Sequence, residues 1–100
     1  MTDDALQRLQ MLDHQAQQLA LQRQQFQGQL FELENALKEL ASAPMAYKII
    51  GNIMVASDKE TLKKDLESKK ELVELRIKSF EKQEHQLREK VKDLQASIKK

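Results

Sequence analysis

Apolar residues recur three and four positions apart along two stretches of the chain, which a short segment of different pattern separates. In the first stretch this stripe consists of Leu9, Leu12, Ala16, Leu19, Arg23, Phe26, Leu30, Leu33, Leu37 and Leu40. In the second it consists of Leu66, Lys70, Val73, Ile77, Phe80, Glu84, Leu87, Val91, Leu94 and Ile98. Such spacing keeps the stripe on one helix face and is typical of a coiled coil. The pattern therefore predicts two long helices, at about residues 2–42 and 58–100.

The segment between the two stretches has the composition of β-strands. Residues 47–50 and 53–55 are rich in Ile, Tyr and Val and flank the pair Gly51-Asn52. A glycine at the first central position of a tight hairpin turn supplies the positive φ that the turn requires. We therefore predict a β-hairpin at about residues 46–56.

Local signals mark the helix ends next to this hairpin. The residue before a proline disfavours the helical conformation, so the first helix is expected to end before Pro44. Ser57 and Glu60 have the spacing of a capping box, in which the Ser57 hydroxyl accepts a hydrogen bond from the Glu60 amide.

Helix, hairpin and helix together predict a mainly α fold, an antiparallel two-helix coiled coil joined by one β-hairpin. We expect a single domain over residues 1–100. Pairing Leu37 with Leu66 closes the loop around the hairpin, and the same register pairs Leu9 with Leu94.

Three stripe positions carry charged residues, Arg23, Lys70 and Glu84. A polar residue at a core position lowers stability but fixes register and partner choice. In the proposed register Arg23 lies against Phe80 and one layer from Glu84. This placement allows a cation–π contact and an ion pair.

The composition is that of long helices rather than of an enzyme domain. Of the 100 residues, 33% are charged and 4% are aromatic, and the chain has only two glycines and one proline. The 17 basic and 16 acidic residues give a net charge of +1, so no strong field attracts nucleic acid or a membrane surface. No segment is long and apolar enough to span a bilayer.

Motifs of catalysis and of cofactor binding are not recognisable in the sequence. His14 and His85 fall on outward positions without a second ligand at metal spacing. We find no glycine-rich phosphate loop and no nucleophile elbow. The sequence therefore predicts a protein that is not an enzyme and needs no cofactor or metal.

The residues that bear on the cellular compartment favour the cytoplasm. The chain has no cysteine, which suits a reducing compartment. Its start, Met1 to Asp4, is acidic and lacks the basic and apolar regions of a signal peptide. We therefore expect a cytoplasmic protein.

Both faces of the predicted hairpin are apolar. Tyr47 and Ile49 point to one face and Ile50 to the other. A lone two-stranded hairpin is marginal in water and leaves two edges unpaired, and packing back on its own helices would cover only one face. We therefore expect hairpins from several subunits to assemble through Tyr47, Ile49, Ile50, Gly51, Ile53, Met54 and Val55.

The hairpin and the second helix together resemble one protein family. The motif Y-K-x-x-G-N-I-x-V spans Tyr47 to Val55, and it is followed by Lys59, Leu66, Leu72, Arg76, Lys82-Gln83-Glu84 and Lys92-x-Leu94-Gln95. These residues resemble the β-type subunit of prefoldin, most closely the archaeal one, and the resemblance covers the whole chain. Related subunits often carry a further tail after the position of Lys100.

The resemblance implies a molecular co-chaperone, a holdase that works without ATP. Prefoldins are hetero-hexamers of two α-type and four β-type subunits, whose hairpins form a double β-barrel platform from which the coiled coils project. Unfolded client proteins are held at the coiled-coil tips and delivered to a group II chaperonin. Partners are therefore expected to be α-type and further β-type subunits, non-native clients and the chaperonin, with neither nucleic acid nor membrane.

The free ends of the two helices form the expected client-binding tip. Coiled-coil layers near an end fray, which exposes apolar side chains to unfolded chains, and several tips together raise avidity. The residues expected there are Leu6, Leu9, Met11, Leu12, Val91, Leu94 and Ile98. Lys99 and Lys100 are expected to contact the chaperonin.

A coiled-coil adaptor or structural spacer that binds one specific partner is the alternative function. It would use the same helices but gives no reason for a hairpin that is apolar on both faces. A nucleic-acid binder is a third class, supported only by the more basic second helix.

Overall fold

The computed structural model describes residues 2–98 and has the element order helix, strand, strand, helix. Helix α1 covers Thr2–Ser42 and helix α2 covers Lys59–Ile98. Strands β1 (Ala46–Ile50) and β2 (Ile53–Ser57) form an antiparallel hairpin between them. The predicted fold class, two long helices joined by one β-hairpin, is confirmed. The described residues form two compact units, one of residues 2–26 and 76–98 and one of Gln27–Leu75.

The turn of the hairpin has the predicted conformation at Gly51. Its φ is 61°, and no other described residue has a positive φ. Positive φ at the first central position alone is the signature of a type II′ turn, whose twist matches that of the flanking strands. The turn connects Ile50 to Ile53, which face each other across the two strands.

In the unit Gln27–Leu75 the two helices meet along the predicted stripe. Leu40 is 8% exposed and Val73 is 9% exposed, while the other stripe positions are half-buried and the residues between them mostly exposed. Ala46, the first residue of β1, is also buried, at 6% exposure. The stripe therefore forms the core of this unit, as the spacing predicts.

In the unit of residues 2–26 and 76–98 the helices run antiparallel. Arg23 contacts Glu84, and Phe26, which lies further along α1, contacts Phe80, which lies earlier in α2. Ile77 and Leu87 are buried, at 7% and 8% exposure. No large side chain among the described residues is fully buried, so many half-buried residues, rather than a thick core, stabilise the helix pair.

Helix α2 begins one residue later than the capping-box prediction required, and Asp58 rather than Ser57 is its N-cap. The Asp58 carbonyl accepts the first helical hydrogen bond from the Leu62 amide at 3.0 Å. Its carboxylate accepts from the Thr61 amide at 3.2 Å and from the Thr61 hydroxyl at 2.9 Å. Ser57 is the last residue of β2, one position before the residue whose carbonyl accepts the first helical hydrogen bond. The capping box at Ser57 is therefore wrong.

This cap predicts a pH-dependent contribution to stability. The Thr61 hydroxyl, and then the Thr61 amide, hold the pKa of Asp58 below its ordinary value of 3.8. A lowered pKa means that the ionised cap stabilises the fold above pH 3.8 and that this contribution is lost as the pH falls through the lowered pKa. Asp58→Ala should therefore lower the thermal midpoint at neutral pH, measured by circular dichroism, and the difference from the natural chain should shrink in acid. Ser57→Ala is the matched control and should change the thermal midpoint little. A larger loss of thermal midpoint in Ser57→Ala than in Asp58→Ala would show that Ser57 is the cap.

Candidate functional site

The hairpin surface, defined as Tyr47, Ile49, Ile50, Gly51, Ile53, Met54 and Val55, is exposed to solvent in the single chain. Exposure of its large side chains runs from 43% at Val55 to 70% at Ile49. Isolated exposed apolar residues are common on proteins, but a contiguous group of this kind marks an interaction site. The structure thus brings all the residues predicted for subunit assembly together on one hairpin.

The strand register distributes these side chains over both faces of the hairpin. Ile49 faces Met54 across the strands, and Tyr47 lies two residues before Ile49, on the same face. Ile50 faces Ile53 and points to the opposite face. Both faces are therefore apolar, and a partner that covered one face would leave the other in water.

Burial of this surface would release considerable free energy. Covering one large apolar side chain is worth about 1.5–3 kcal/mol, so several on each face can support a stable association. The two strands also present unpaired backbone groups along their outer edges, because the sheet has only two strands. Strands from other chains would satisfy these groups and cover the apolar faces at the same time.

The sequence prediction missed Met45, which extends the hairpin surface. Its side chain is 58% exposed, and its sulfur lies 3.5 Å from the Tyr47 hydroxyl, which donates to it. Met45 directly follows Pro44 and precedes the first strand, so the strand pattern did not include it. Its apolar character next to an apolar strand was the signal available in the sequence.

The base of the hairpin is closed by Lys59. Its ammonium donates to the Ala43 carbonyl, one residue after the end of α1, at 2.5 Å. Helix C-termini favour cations, and the last turn of α1 contains no basic residue of its own. Lys59, the first residue of α2, supplies that charge from across the hairpin. This contact fixes where the chain enters and leaves the strands.

The predicted tip residues are brought together only in part. Leu12 and Leu94 flank a common groove beside the helix seam, with Arg8 and Lys90 at its rim. Leu9, Val91 and Ile98 are half-buried, as are the other seam positions.

Two predicted tip residues are mainly exposed. Leu6 is 51% exposed. Met11 is 62% exposed and lies against Gln7, Gln10 and His14, in a separate shallow groove on α1. Met11 therefore does not share the groove of Leu12 and Leu94. Lys99 and Lys100, predicted to contact a chaperonin, lie outside the described residues.

The polar core positions in the unit of residues 2–26 and 76–98 form a specific cross-link. Arg23 donates from Nε to Oε1 of Glu84 at 2.6 Å, with both side chains largely shielded from water. The ring of Phe26 stacks on that of Phe80 at 5.4 Å between centroids. The ion pair is one of the two contacts that the sequence allowed for Arg23. The predicted register is wrong by one layer in this unit, because Phe80 lies against Phe26 rather than against Arg23. Partly shielded pairs of this kind contribute more to register than to net stability.

The cation over an aromatic ring comes from a residue that the sequence reasoning did not consider. The guanidinium of Arg76 lies 5.5 Å from the centroid of Phe26. Arg76 is adjacent to the core position Ile77, and its guanidinium lies over the Phe26 ring. Such contacts are worth about 0.5–1 kcal/mol at exposed sites.

Among residues 2–98 there is no group of three or more side chains suited to hold a metal ion. In the same residues, no buried side-chain nitrogen or oxygen lacks a hydrogen-bond partner. His14 lies 3.1 Å from the amide nitrogen of Gln18 on the surface of α1. Neither of the described helices is long and apolar enough to cross a membrane. The hairpin surface and the grooves beside the helix seam are therefore the candidate sites in the described part of the chain.

Comparison with known proteins finds the same fold and related sequences. The family model described as prefoldin subunit matches residues 4–100. The prefoldin subunit beta of Sulfurisphaera tokodaii is 38% identical over 94 residues, which cover 91% of this chain and 75% of that protein. The prefoldin subunit beta of Saccharolobus islandicus strain L.S.2.15 is 40% identical over 96 residues, which cover 93% of this chain and 76% of that protein. A crystal structure of the prefoldin beta subunit from Thermococcus strain KS-1 is similar with a TM-score of 0.91 and 34% identity, covering 96% of this chain and 87% of that one.

Proposed function

The chain belongs to the prefoldin family as a β-type chaperone subunit, and on that premise we propose that it is an ATP-independent holdase. In this proposal it is one of four β-type subunits that assemble with two α-type subunits into a hetero-hexamer. The hexamer holds unfolded proteins at its coiled-coil tips and delivers them to a group II chaperonin.

The observation that carries the proposal is the hairpin surface, which is apolar and exposed on both faces. Ile49 and Met54 on one face, and Ile50 and Ile53 on the other, are each more than half exposed. A coiled-coil adaptor that binds one helix needs no such hairpin. Hairpins from several subunits, paired edge to edge in a closed β-barrel, would cover both faces and leave no free edge.

Client binding is proposed for the end of the helix pair that contains Leu12 and Leu94. Non-native chains expose apolar side chains, and the half-buried leucines there can exchange their contacts with each other for contacts with a client. No nucleotide is needed, because binding and release follow from the exchange of weak apolar contacts. Several tips acting on one client would raise the affinity of the assembly above that of a single tip.

The oligomeric state with a partner subunit tests the assembly. The chain should be mixed with an α-type prefoldin subunit and its mass measured by light scattering after size exclusion. We expect a species with four copies of this chain and two of the partner. A mixture in which the two proteins elute separately would exclude the hexamer and favour the adaptor function.

Delivery to the chaperonin is proposed to involve Lys99 and Lys100, whose positive charges suit an acidic docking surface. A chain that ends at Ile98 should protect clients from aggregation as well as the full chain does. It should transfer them more slowly to a group II chaperonin. Added salt should reduce the difference in transfer rate between the two chains, because screening weakens contacts between charged groups. Transfer that is unchanged at low salt would contradict a role for these lysines.

A further inference from the structure

Five glutamine side chains flank a groove beside the helix seam in the unit of residues 2–26 and 76–98. They are Gln15, Gln18, Gln22, Gln83 and Gln86. The groove has a volume of about 340 Å³, and its apolar floor is formed by Leu19 and Leu87. We propose that this groove binds the extended main chain of a non-native polypeptide through hydrogen bonds to its peptide groups. The proposal rests on the holdase function and names the part of the client that is recognised.

The polar side chains that flank this groove are uncharged carboxamides, apart from Lys90, at places where coiled coils usually carry charge. Gln15, Gln22 and Gln83 each directly precede a core position of the stripe, a place where Glu and Lys commonly form pairs between helices. A covered charge loses its hydration at high cost, whereas a carboxamide that keeps its hydrogen bonds loses little. These flanks can therefore be covered by a neutral ligand.

The hydrogen-bonding groups of the groove complement a polypeptide main chain. Each carboxamide has two donor hydrogens and an acceptor oxygen, and each peptide group has one donor and one acceptor. Gln15, Gln22 and Gln86 are exposed and form no hydrogen bond with another described residue. Gln18 lies 3.1 Å from His14, and Gln83 donates to the Ser79 hydroxyl at 3.2 Å, which holds both side chains in place. Three carboxamides are thus available to a ligand and two are already oriented.

Hydrogen bonding to main-chain groups favours non-native polypeptides over folded proteins and does not depend on the amino-acid sequence of the client. In a folded protein most peptide groups are already paired, whereas an unfolded segment offers all of them. Gln15 and Gln22 lie two helical turns apart, about 10 Å, which matches roughly three residues of extended chain. The apolar floor can accept a side chain of the client between these hydrogen bonds.

The groove continues toward the client-binding end proposed above. Lys90 flanks this groove and also the neighbouring one that contains Leu12 and Leu94. A bound chain can therefore contact apolar residues in one groove and carboxamides in the other.

Replacement of the three available glutamines by methionine tests the proposal. Gln15→Met, Gln22→Met and Gln86→Met keep the length and helix propensity of each side chain but remove its hydrogen bonds and add apolar surface. The probe is fluorescein-labelled, reduced and carboxymethylated α-lactalbumin, which stays unfolded, and binding to the full chain is followed by anisotropy. We expect at least about five-fold weaker binding, because a neutral hydrogen bond is lost at each position.

The matched control carries the same substitution at exposed glutamines outside the groove and away from the predicted tip, Gln24, Gln25 and Gln29, and should bind as the natural chain does. Equal or tighter binding by the groove variant would show that only apolar surface matters and would overturn the proposal. Equal losses in both variants would overturn it as well, because the position of the glutamines would not matter.

A second measurement leaves the protein unchanged. A labelled peptide of alternating leucine and serine is compared with the same peptide N-methylated at its serines, which removes main-chain donors but keeps every side chain. Weaker binding of the methylated peptide supports the proposal, and equal binding overturns it. Either failure leaves the holdase function intact, because that function is tested separately through the leucines of the tip.

Discussion

Replacing Ile49 and Ile53 by aspartate should leave both helices folded and prevent the chain from entering a hexamer. The two residues are 70% and 66% exposed in the single chain and point to opposite faces of the hairpin, so the double substitution affects both faces. In an assembled barrel each carboxylate would be buried without a partner, at a cost of several kcal/mol. That cost is comparable with the gain from burying the apolar surface, so assembly should be lost rather than weakened.

Mass measurement by light scattering with an α-type partner checks this result, and circular dichroism checks that the helices persist. Leu72 and Leu75 provide a matched control, because they are 61% and 63% exposed on α2 and lie outside the hairpin. Aspartate at both of these positions should give a hexamer of normal mass. A normal hexamer from the Ile49→Asp, Ile53→Asp chain would show that the hairpin does not mediate assembly.

Serine at Leu9, Leu12, Leu94 and Ile98 should leave assembly intact and strongly reduce protection of unfolded clients. These half-buried leucine and isoleucine side chains lie in the unit of residues 2–26 and 76–98, whereas every hairpin residue belongs to the other unit. Contact with a non-native chain is mainly apolar burial, worth roughly 25 cal/mol per Å². Loss of four apolar side chains at each tip should therefore reduce protection several-fold for unrelated clients.

The measurement is light scattering by a denatured client diluted into the assembled hexamer. Serine at Leu21 and Phe31, which are 61% and 65% exposed and lie outside the predicted tip, is the control for a general loss of apolar surface and should protect fully. Leu6→Ser with Met11→Ser removes exposed tip surface without altering the seam, so it separates direct client contact from fraying of the helix ends. Full protection by the four-serine variant would place the client site elsewhere.

The sequence by itself determined the elements and the face that each helix buries. A spacing of three and four residues is a local property of the chain, and every stripe position from Leu9 to Leu40 and from Leu66 to Ile98 is buried or half-buried. Gly51 adopts the positive φ that its place in the turn required. The apolar character of both hairpin faces could also be predicted from the sequence, because successive side chains alternate between the two faces of a strand.

Only the tertiary structure decided which polar groups meet. The sequence predicted Ser57 as the cap of α2, whereas the structure gives that role to Asp58, whose carboxylate accepts from the Thr61 amide. Arg76 places its guanidinium over Phe26, a contact that the repeat did not indicate, and Lys59 reaches the Ala43 carbonyl across the hairpin. The glutamine groove likewise combines residues about sixty to seventy positions apart in the sequence. A repeat specifies which side of a helix is buried, but the partner of a long polar side chain depends on distances that exist only once the two helices have packed.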